Sequence, residues 1–372
     1  MLEVALSTGV LWSNVKISEF DSMYARCRFL YQTWVGRACG YPLTVTLAFP
    51  SRNNLYNIFL DLVVPFRIKV LHITLPRDRF FDLPSFDVEE LAIDLPNFLM
   101  AGDLNALMER ARRICIWNLG PLSVGSELGE RIKALSLSWH QLRSFECHSH
   151  LSLSTWLDIL HQAQTLQSLE RCHLTISEVG SGPLVGVCMP NLRWFALSLI
   201  GPIHPDSVIP LIAAPNITAL KISSPSKWPS NTYDIIGKHY KLHQLQHFRI
   251  HAAQFPLRIA QVLADAPMIH SLEVQGRPVL DAETRKDIAS GRLGRYLTSL
   301  DIGSCFDSAG EWLDMIESRQ KNVNSMITHV SNWRELFTGI KSARFWRVYN
   351  ARDYEERVAA LEALGITIRL IY

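Results

Sequence analysis

Leu142-Arg143-Ser144-Phe145-Glu146-Cys147 is the stretch on which the fold turns. An apolar residue is followed by two variable ones, a second apolar residue, one variable residue and a third apolar one. Alternation through Phe145 and Cys147 puts two apolar side chains on one face of a short strand, with Ser144 and Glu146 on the other. The same frame returns at Leu192–Leu197, Ile217–Ile222, Leu245–Ile250, Ile269–Val274 and Leu297–Ile302. Leu166-Gln167-Ser168-Leu169 begins another copy, continuing less regularly to Leu174. Shorter copies surround Leu71 and Ile73, Leu91 and Ile93, and Ile114 and Ile116, and Val323–Thr328 reads as a frayed last copy. The middle apolar residues stand at 71, 91, 114, 145, 169, 195, 220, 248, 272, 300 and 326.

These anchors are separated by steps of 20 to 31 residues. Apart from the long step between Ile114 and Phe145, the spacing is that of a repeat of roughly 20–29 residues built from one strand and one return segment. Each return has room for a short helix. Trp156, Leu157, Ile159 and Leu160 form one apolar helical face, Ile259, Val262 and Leu263 a second, and Trp312, Leu313, Met315 and Ile316 a third. Ser154 is placed to cap the first of these and Asp307 or Ser308 the third. Pro190, Pro215 and Pro267 each stand two residues before the first apolar residue of a strand, where proline ends a return and favours extended backbone.

This pattern resembles the leucine-rich repeat family over about residues 68–330. The resemblance implies an α/β solenoid, an open horseshoe or arc with parallel strands on its concave face and helices and loops on its convex face. The consensus turn asparagine is mostly replaced; Cys172 is the nearest match to that position. The competing architecture is a β/α barrel, which would point to an enzyme. Eight such units fill about 250 residues, whereas about eleven repeats are found here, and proline-broken returns such as Leu199–Asn216 leave little room for outer helices.

Ala5-Leu6-Ser7-Thr8-Gly9-Val10-Leu11-Trp12-Ser13-Asn14-Val15 resembles the closing segment of an F-box as found in large fungal (basidiomycete-type) families. Phe29, Leu30, Trp34, Val35 and Arg37, followed by Pro42-Leu43-Thr44-Val45-Thr46-Leu47, match the element that comes next there. The resemblance implies a target-recognition subunit of a cullin-based (SCF-type) ubiquitin ligase, or a truncated remnant of one. A Skp1-like adaptor is an expected partner only if the leading F-box helices are encoded upstream of Met1. The expected organisation is an F-box-like remnant and N-terminal cap over 1–40, the solenoid over 41–330, and a C-terminal cap over 331–372. In the cap, Asp353–Leu364 reads as a helix with Val358, Leu361 and Leu364 on one side, Gly365 as its stop, and Ile366–Ile371 as a last strand. Trp333, Leu336, Phe337, Phe345 and Trp346 would pack beneath.

Composition narrows the function. The chain has 372 residues, 48% hydrophobic, with Lys plus Arg at 37 against Asp plus Glu at 35. A near-neutral chain lacks the basic excess a nucleic-acid partner would favour. No uncharged run exceeds 14 residues, too short for a spanning helix, and Met1–Trp12 carries Glu3 and no basic leader, so neither membrane nor secretion is expected. Seven cysteines without a CxxC read as free thiols of a reducing compartment, cytoplasmic or nuclear. Gly180-Ser181-Gly182-Pro183-Leu184-Val185-Gly186 has its third glycine one place late for a phosphate loop, and Pro183 removes a donor. His148 and His247 lie about four repeats apart, or roughly 20 Å, too far to share an ion. No cofactor, metal or catalytic set is expected, and the chain reads as a protein-binding scaffold. The residues between anchors should form its binding face: Glu146, His148, Glu170, Trp194, Lys221, His247, Arg249, His251, Glu273 and Asp301, for a target protein or peptide. Trp194 is the expected aromatic anchor.

Overall fold

The computed structural model describes residues 9–18, 32–38, 40–48, 67–74, 88–94, 111–117, 139–162, 168–181, 184–303, 309–329 and 337–371. The chain divides into two compact units, Met1–Leu184 and Val185–Tyr372.

The first unit holds β1 (Asn14–Ser18), β2 (Leu43–Ala48), β3 (Ile68–Thr74), β4 (Glu90–Asp94), β5 (Arg113–Trp117), β6 (Ser144–Cys147), β7 (Leu151–Ser152) and β8 (Arg171–Glu178), with helix α1 (Leu153–Gln162) between the last two strands. β1 to β6 and β8 lie side by side in chain order, every pair parallel, and β7 pairs with β8. The second unit repeats the plan. It contains β9 (Val187–Cys188), β10 (Trp194–Leu199), β11 (Ile212–Ala213), β12 (Ala219–Ser224), β13 (His247–Arg258), β14 (Ser271–Val279), β15 (Ser299–Ile302), β16 (Ser342–Trp346) and β17 (Thr367–Ile371). Its helices are α2 (Pro205–Val208), α3 (Thr232–His239), α4 (Ile259–Asp265), α5 (Ala282–Ala289), α6 (Ala309–His329) and α7 (Glu355–Ala363). β10 and β12 to β17 form a parallel ladder in chain order, and β9 pairs with β11. The architecture is α/β with parallel strands, and no ring of strands closes among the described residues.

The two-inward alternation explains the ladder. Register aligns Val45 with Leu71, Leu91, Ile114, Phe145 and Cys172 in turn, and Phe195 with Leu220, Phe248, Leu272, Leu300, Ala343 and Ile368. All of these are buried. Burying one such side chain contributes about 1.5–3 kcal/mol, so a slip by one residue, which would turn the whole row outward, is strongly opposed.

The strand entries are equally regular. The carbonyl before one strand accepts two successive N–H groups from the start of the next: Arg112 from Arg143 and Ser144, Arg143 from Glu170 and Arg171, Thr218 from Gln246 and His247, and His270 from Thr298 and Ser299. The three prolines sit where expected, each second in a turn closed by Leu192 N–H to Met189, Ile217 N–H to Ala214 or Ile269 N–H to Ala266. Proline fits that place because its fixed φ matches the turn.

The structure also corrects the sequence reading. The copy at 166–169 is framed one step too early: β8 begins at Arg171, and Cys172 rather than Leu169 aligns with Phe145. Leu166, Leu169 and Cys172 are spaced by threes, so apolar content alone did not choose the frame. Val323–Thr328 is not a strand but lies in α6. β16 takes the next place beside β15, so the ladder extends past residue 330 through β16 and β17, as it also begins before residue 41 with β1. The cap of α1 is Ser152, whose Oγ accepts the Thr155 N–H at 3.1 Å, rather than Ser154. Leu364 is 56% exposed and does not share the buried side of Leu361. Gly365 ends α7 at φ +81, with Ile366 N–H returning to the Leu361 carbonyl. Ala5–Thr8, Phe29, Leu30, Asp307, Ser308, Trp333 and Leu336 lie outside the described residues.

Arg319 in α6 was missed by the sequence reading and ties the second unit together. Its guanidinium is fully buried and donates to the carbonyls of Thr338 at 2.7 Å, Ile288 at 2.5 Å, Gly294 at 2.8 Å and Arg295 at 3.2 Å. Burial pulls its pKa down to about 10, and the carbonyls offset the cost of holding the charge there.

Candidate functional site

In the second unit the outward residues form three rows across the strands. Register places Trp194, Ala219, His247, Ser271, Ser299, Ser342 and Thr367 in one row. The next row reads Ala196, Lys221, Arg249, Glu273, Asp301, Arg344, Arg369. The third begins Ser198, Ser223, His251, Gln275. Charges in the middle row therefore run positive, positive, negative, negative, positive, positive.

The two central carboxylates are held by neighbours on the same face. Glu273 is buried, 6% exposed, and is paired with Arg249; it accepts from His251 Nε2 at 2.5 Å and Gln275 Nε2 at 3.2 Å. Burial pushes its pKa up, but the His251 hydrogen bond and the charges of Arg249, His251 and Lys221 outweigh it and hold the carboxyl below its ordinary range. Asp301 accepts from Trp346 Nε1 at 2.6 Å and Arg344 at 3.2 Å. For this group burial prevails, helped by the Glu273 charge and opposed by the Trp346 bond and the arginines, and its pKa lies above the ordinary range. The expected negative band at Glu273 and Asp301 is thus largely engaged from within. The better exposed groups beside it are cationic, with side-chain exposures of 47% for Arg249 and 42% for Arg344. Trp194 is half-buried at the β10 end of its row.

In the first unit, Glu146 and His148 lie on the outward face of β6 and just beyond it, as expected. Glu170 does not belong there: it is exposed, immediately before β8, and His173 occupies the place beside Glu146. The residues expected to make one face thus divide between the two units, Glu146, His148 and Glu170 in the first and the other seven in the second. Beside Glu146 across the other edge of β6 is Cys115. The Cys115, Glu146 and His148 ligand atoms all lie within 4.8 Å of one another. Cys115 and Glu146 line a cavity of about 500 Å³, together with Thr46, His72, Glu90, Arg113, Trp117 and Arg171 among others.

The His148 ring is fixed by its neighbours. Trp117 stacks on it at 4.0 Å and 8°, and His173 meets it edge-on at 4.3 Å. Its Nε2 is buried without a hydrogen-bond partner, and Glu146 stands 3.9 Å away. The His148 ring, with Arg171 and His173, holds the Glu146 carboxyl below its ordinary range against the opposing effect of burial. Burial, aided by Glu146, pushes the Cys115 thiol up to about 12. Cys147 and Cys172, which share the inward rows, are fully buried.

The chain matches no family model and no curated protein. Among the described residues, no helix is long and apolar enough to cross a membrane.

The sequence reading missed Cys115. Its partner Glu146 is 31 residues further on, across the longest of the steps between anchors, so only the β5–β6 register shows that they meet. The signal available was the alternation of Ile114 and Ile116, which puts Cys115 on the outward face.

Proposed function

We propose that this chain is a leucine-rich repeat scaffold, an open arc whose strand face holds a protein or peptide target, and that it serves as the target-recognition subunit of an SCF-type ubiquitin ligase. One observation supports the scaffold reading above all. Successive parallel strands keep one register, so that each adds the same two buried residues and the same outward positions. Stacked repeats of this kind offer an extended surface that loop-borne catalytic sites do not need. The row from Lys221 to Arg369 combines fixed carboxylates with half-exposed arginines, and arginine beside an aromatic ring is a frequent centre of protein interfaces. Trp346 lies beside Arg344, whose guanidinium carbon is 5.8 Å from its ring centre. The charge pattern favours an acidic segment in the target.

The ligase assignment rests on the F-box likeness of Ala5–Val15 and of the stretch through Leu47. In the structure, Gly9–Trp12 is a 3₁₀ turn leading into β1.

Photo-crosslinking tests the binding face. Crosslinkers at Ser223 and Gln275 should capture the same target, and one at Lys238 in α3 should not. Arg249→Glu with Arg344→Glu should abolish capture. Equal labelling from Lys238, or capture that survives both charge reversals, would reject the face. Binding to a Skp1-like adaptor, by this chain and by a version carrying a complete F-box, tests the ligase role. If the captured target is not ubiquitylated in a reconstituted reaction with the complete version, the ligase reading fails while the scaffold reading stands.

A further inference from the structure

The cluster on β5 and β6 has a composition that target binding does not require. A thiol, a carboxylate and an imidazole converge from two strands, and they are not all satisfied by one another. His148 Nε2 is buried without a hydrogen bond, with the charged Glu146 carboxylate at 3.9 Å. A buried nitrogen without a hydrogen bond is costly, and such a group calls for an explanation.

We infer that Cys115 Sγ, Glu146 carboxylate and His148 Nε2 form a three-residue binding site for a divalent transition-metal ion of the zinc class. Thiolate, imidazole and carboxylate are the three ligand types that zinc takes from proteins, and three of them with one place left open make an accessible site. Zinc bonds of about 2.0–2.3 Å put tetrahedral ligand atoms roughly 3.3–3.8 Å apart. The three atoms here already lie within 4.8 Å, so small rotamer changes close the set. Charge also balances: a divalent ion with one thiolate, one carboxylate and a neutral imidazole is neutral overall. Binding replaces the thiol proton, which leaves to solvent, and no redox partner is needed.

The surroundings act as a supporting shell. Trp117 stacked on His148 fixes the ring plane, and His173 against its edge limits rotation. The strands themselves set the spacing, since Cys115 is the direct register partner of Glu146 and His148 follows two residues later on the same face. Arg113 at the cavity rim faces Glu90 at 3.4 Å. Arg171, also at the rim, favours an anionic fourth ligand, such as hydroxide or a carboxylate from a bound partner.

Cobalt(II) added to the full chain under reducing conditions reads the site directly. One ion per chain should bind with the near-ultraviolet thiolate-to-cobalt band and the strong visible bands of tetrahedral cobalt, and zinc should erase both. Cys115→Ser should lose the thiolate band, and His148→Ala and Glu146→Gln should lose tight binding, with circular dichroism unchanged. His247→Ala should behave as the unaltered chain. A second measurement needs no variant: zinc should protect Cys115 from alkylation while leaving the exposed Cys188 reactive. Absence of the thiolate band in the unaltered chain, its persistence in Cys115→Ser, or equal alkylation of Cys115 with and without zinc would overturn the assignment.

Discussion

The outward faces of the two units are built on the same strand register yet leave their polar groups in opposite conditions. In the second unit, Glu273 is enclosed by Arg249, His251 and Gln275, and Asp301 by Trp346 and Arg344. In the first, His148 Nε2 makes no hydrogen bond, with Glu146 3.9 Å away, and burial pushes the Cys115 thiol up beside Glu146. One face is a closed electrostatic network with cations at its margin. The other is an open set of ligands. Repetition fixes where side chains stand, while the identity of two or three of them decides whether a face is complete or awaits an ion.

The sharpest break in this comparison is expected in the second unit's interior. Arg319→Met should remove about 3–5 kcal/mol of stability, because four carbonyls lose their buried cation; urea unfolding measures it. A loss under 1 kcal/mol would mean that those carbonyls find other donors. Next comes a matched pair of histidines. His251→Ala should cost about 1–3 kcal/mol by stripping a hydrogen bond from buried Glu273. His148→Ala should cost less, about 0.5–1.5 kcal/mol from the stacking with Trp117, since its Nε2 makes no hydrogen bond and Glu146 stands 3.9 Å away. Equal losses from the two would erase the distinction between the faces.

Acid titration sharpens it further. Glu273 has a folded-state pKa below its unfolded value, so its contribution is present above the ordinary glutamate range and is lost as pH falls through the lower, folded value. Asp301 is raised, so its sign is opposite: it favours folding as pH falls into its raised range and costs stability once ionised. In urea melts across the acid range, Glu273→Gln should flatten the acid-side loss and Asp301→Asn should not. The smallest effect is expected at the rim of the first unit. The Arg113–Glu90 pair has side chains 56% and 35% exposed, so Arg113→Ala should change stability by roughly 0–1 kcal/mol.

Much of the ladder was legible because strand alternation has a period of two and the anchors recur. Phe145, Phe195, Leu220, Phe248, Leu272 and Leu300 are all where the pattern puts them. The frame failed where two periods coincide. Leu166, Leu169 and Cys172 fit more than one start, and Val323–Thr328 satisfies a strand pattern while continuing the helix of Trp312 and Ile316. Lys221, His247, Arg249, His251, Glu273 and Asp301 were readable as one face because each step between their strands preserves register. Their pairings were not, since Trp346 and Arg344 come from β16, which the pattern did not reveal. Cys115 was hidden for the same reason that its cluster is compact: neighbours in a parallel sheet are distant in sequence.

The claim that each strand of the second unit is covered by the next in the ladder is tested most directly where sequence and structure part. Ser299 and Ser342 are register partners, with their hydroxyl oxygens 3.1 Å apart, within reach of a disulfide. Mild oxidation of Ser299→Cys with Ser342→Cys should give that crosslink in the folded chain, mapped by mass spectrometry, and Ser299→Cys with Asn324→Cys should give none. A crosslink to position 324 without one to position 342 would put the 323–328 segment in the ladder and contradict the account.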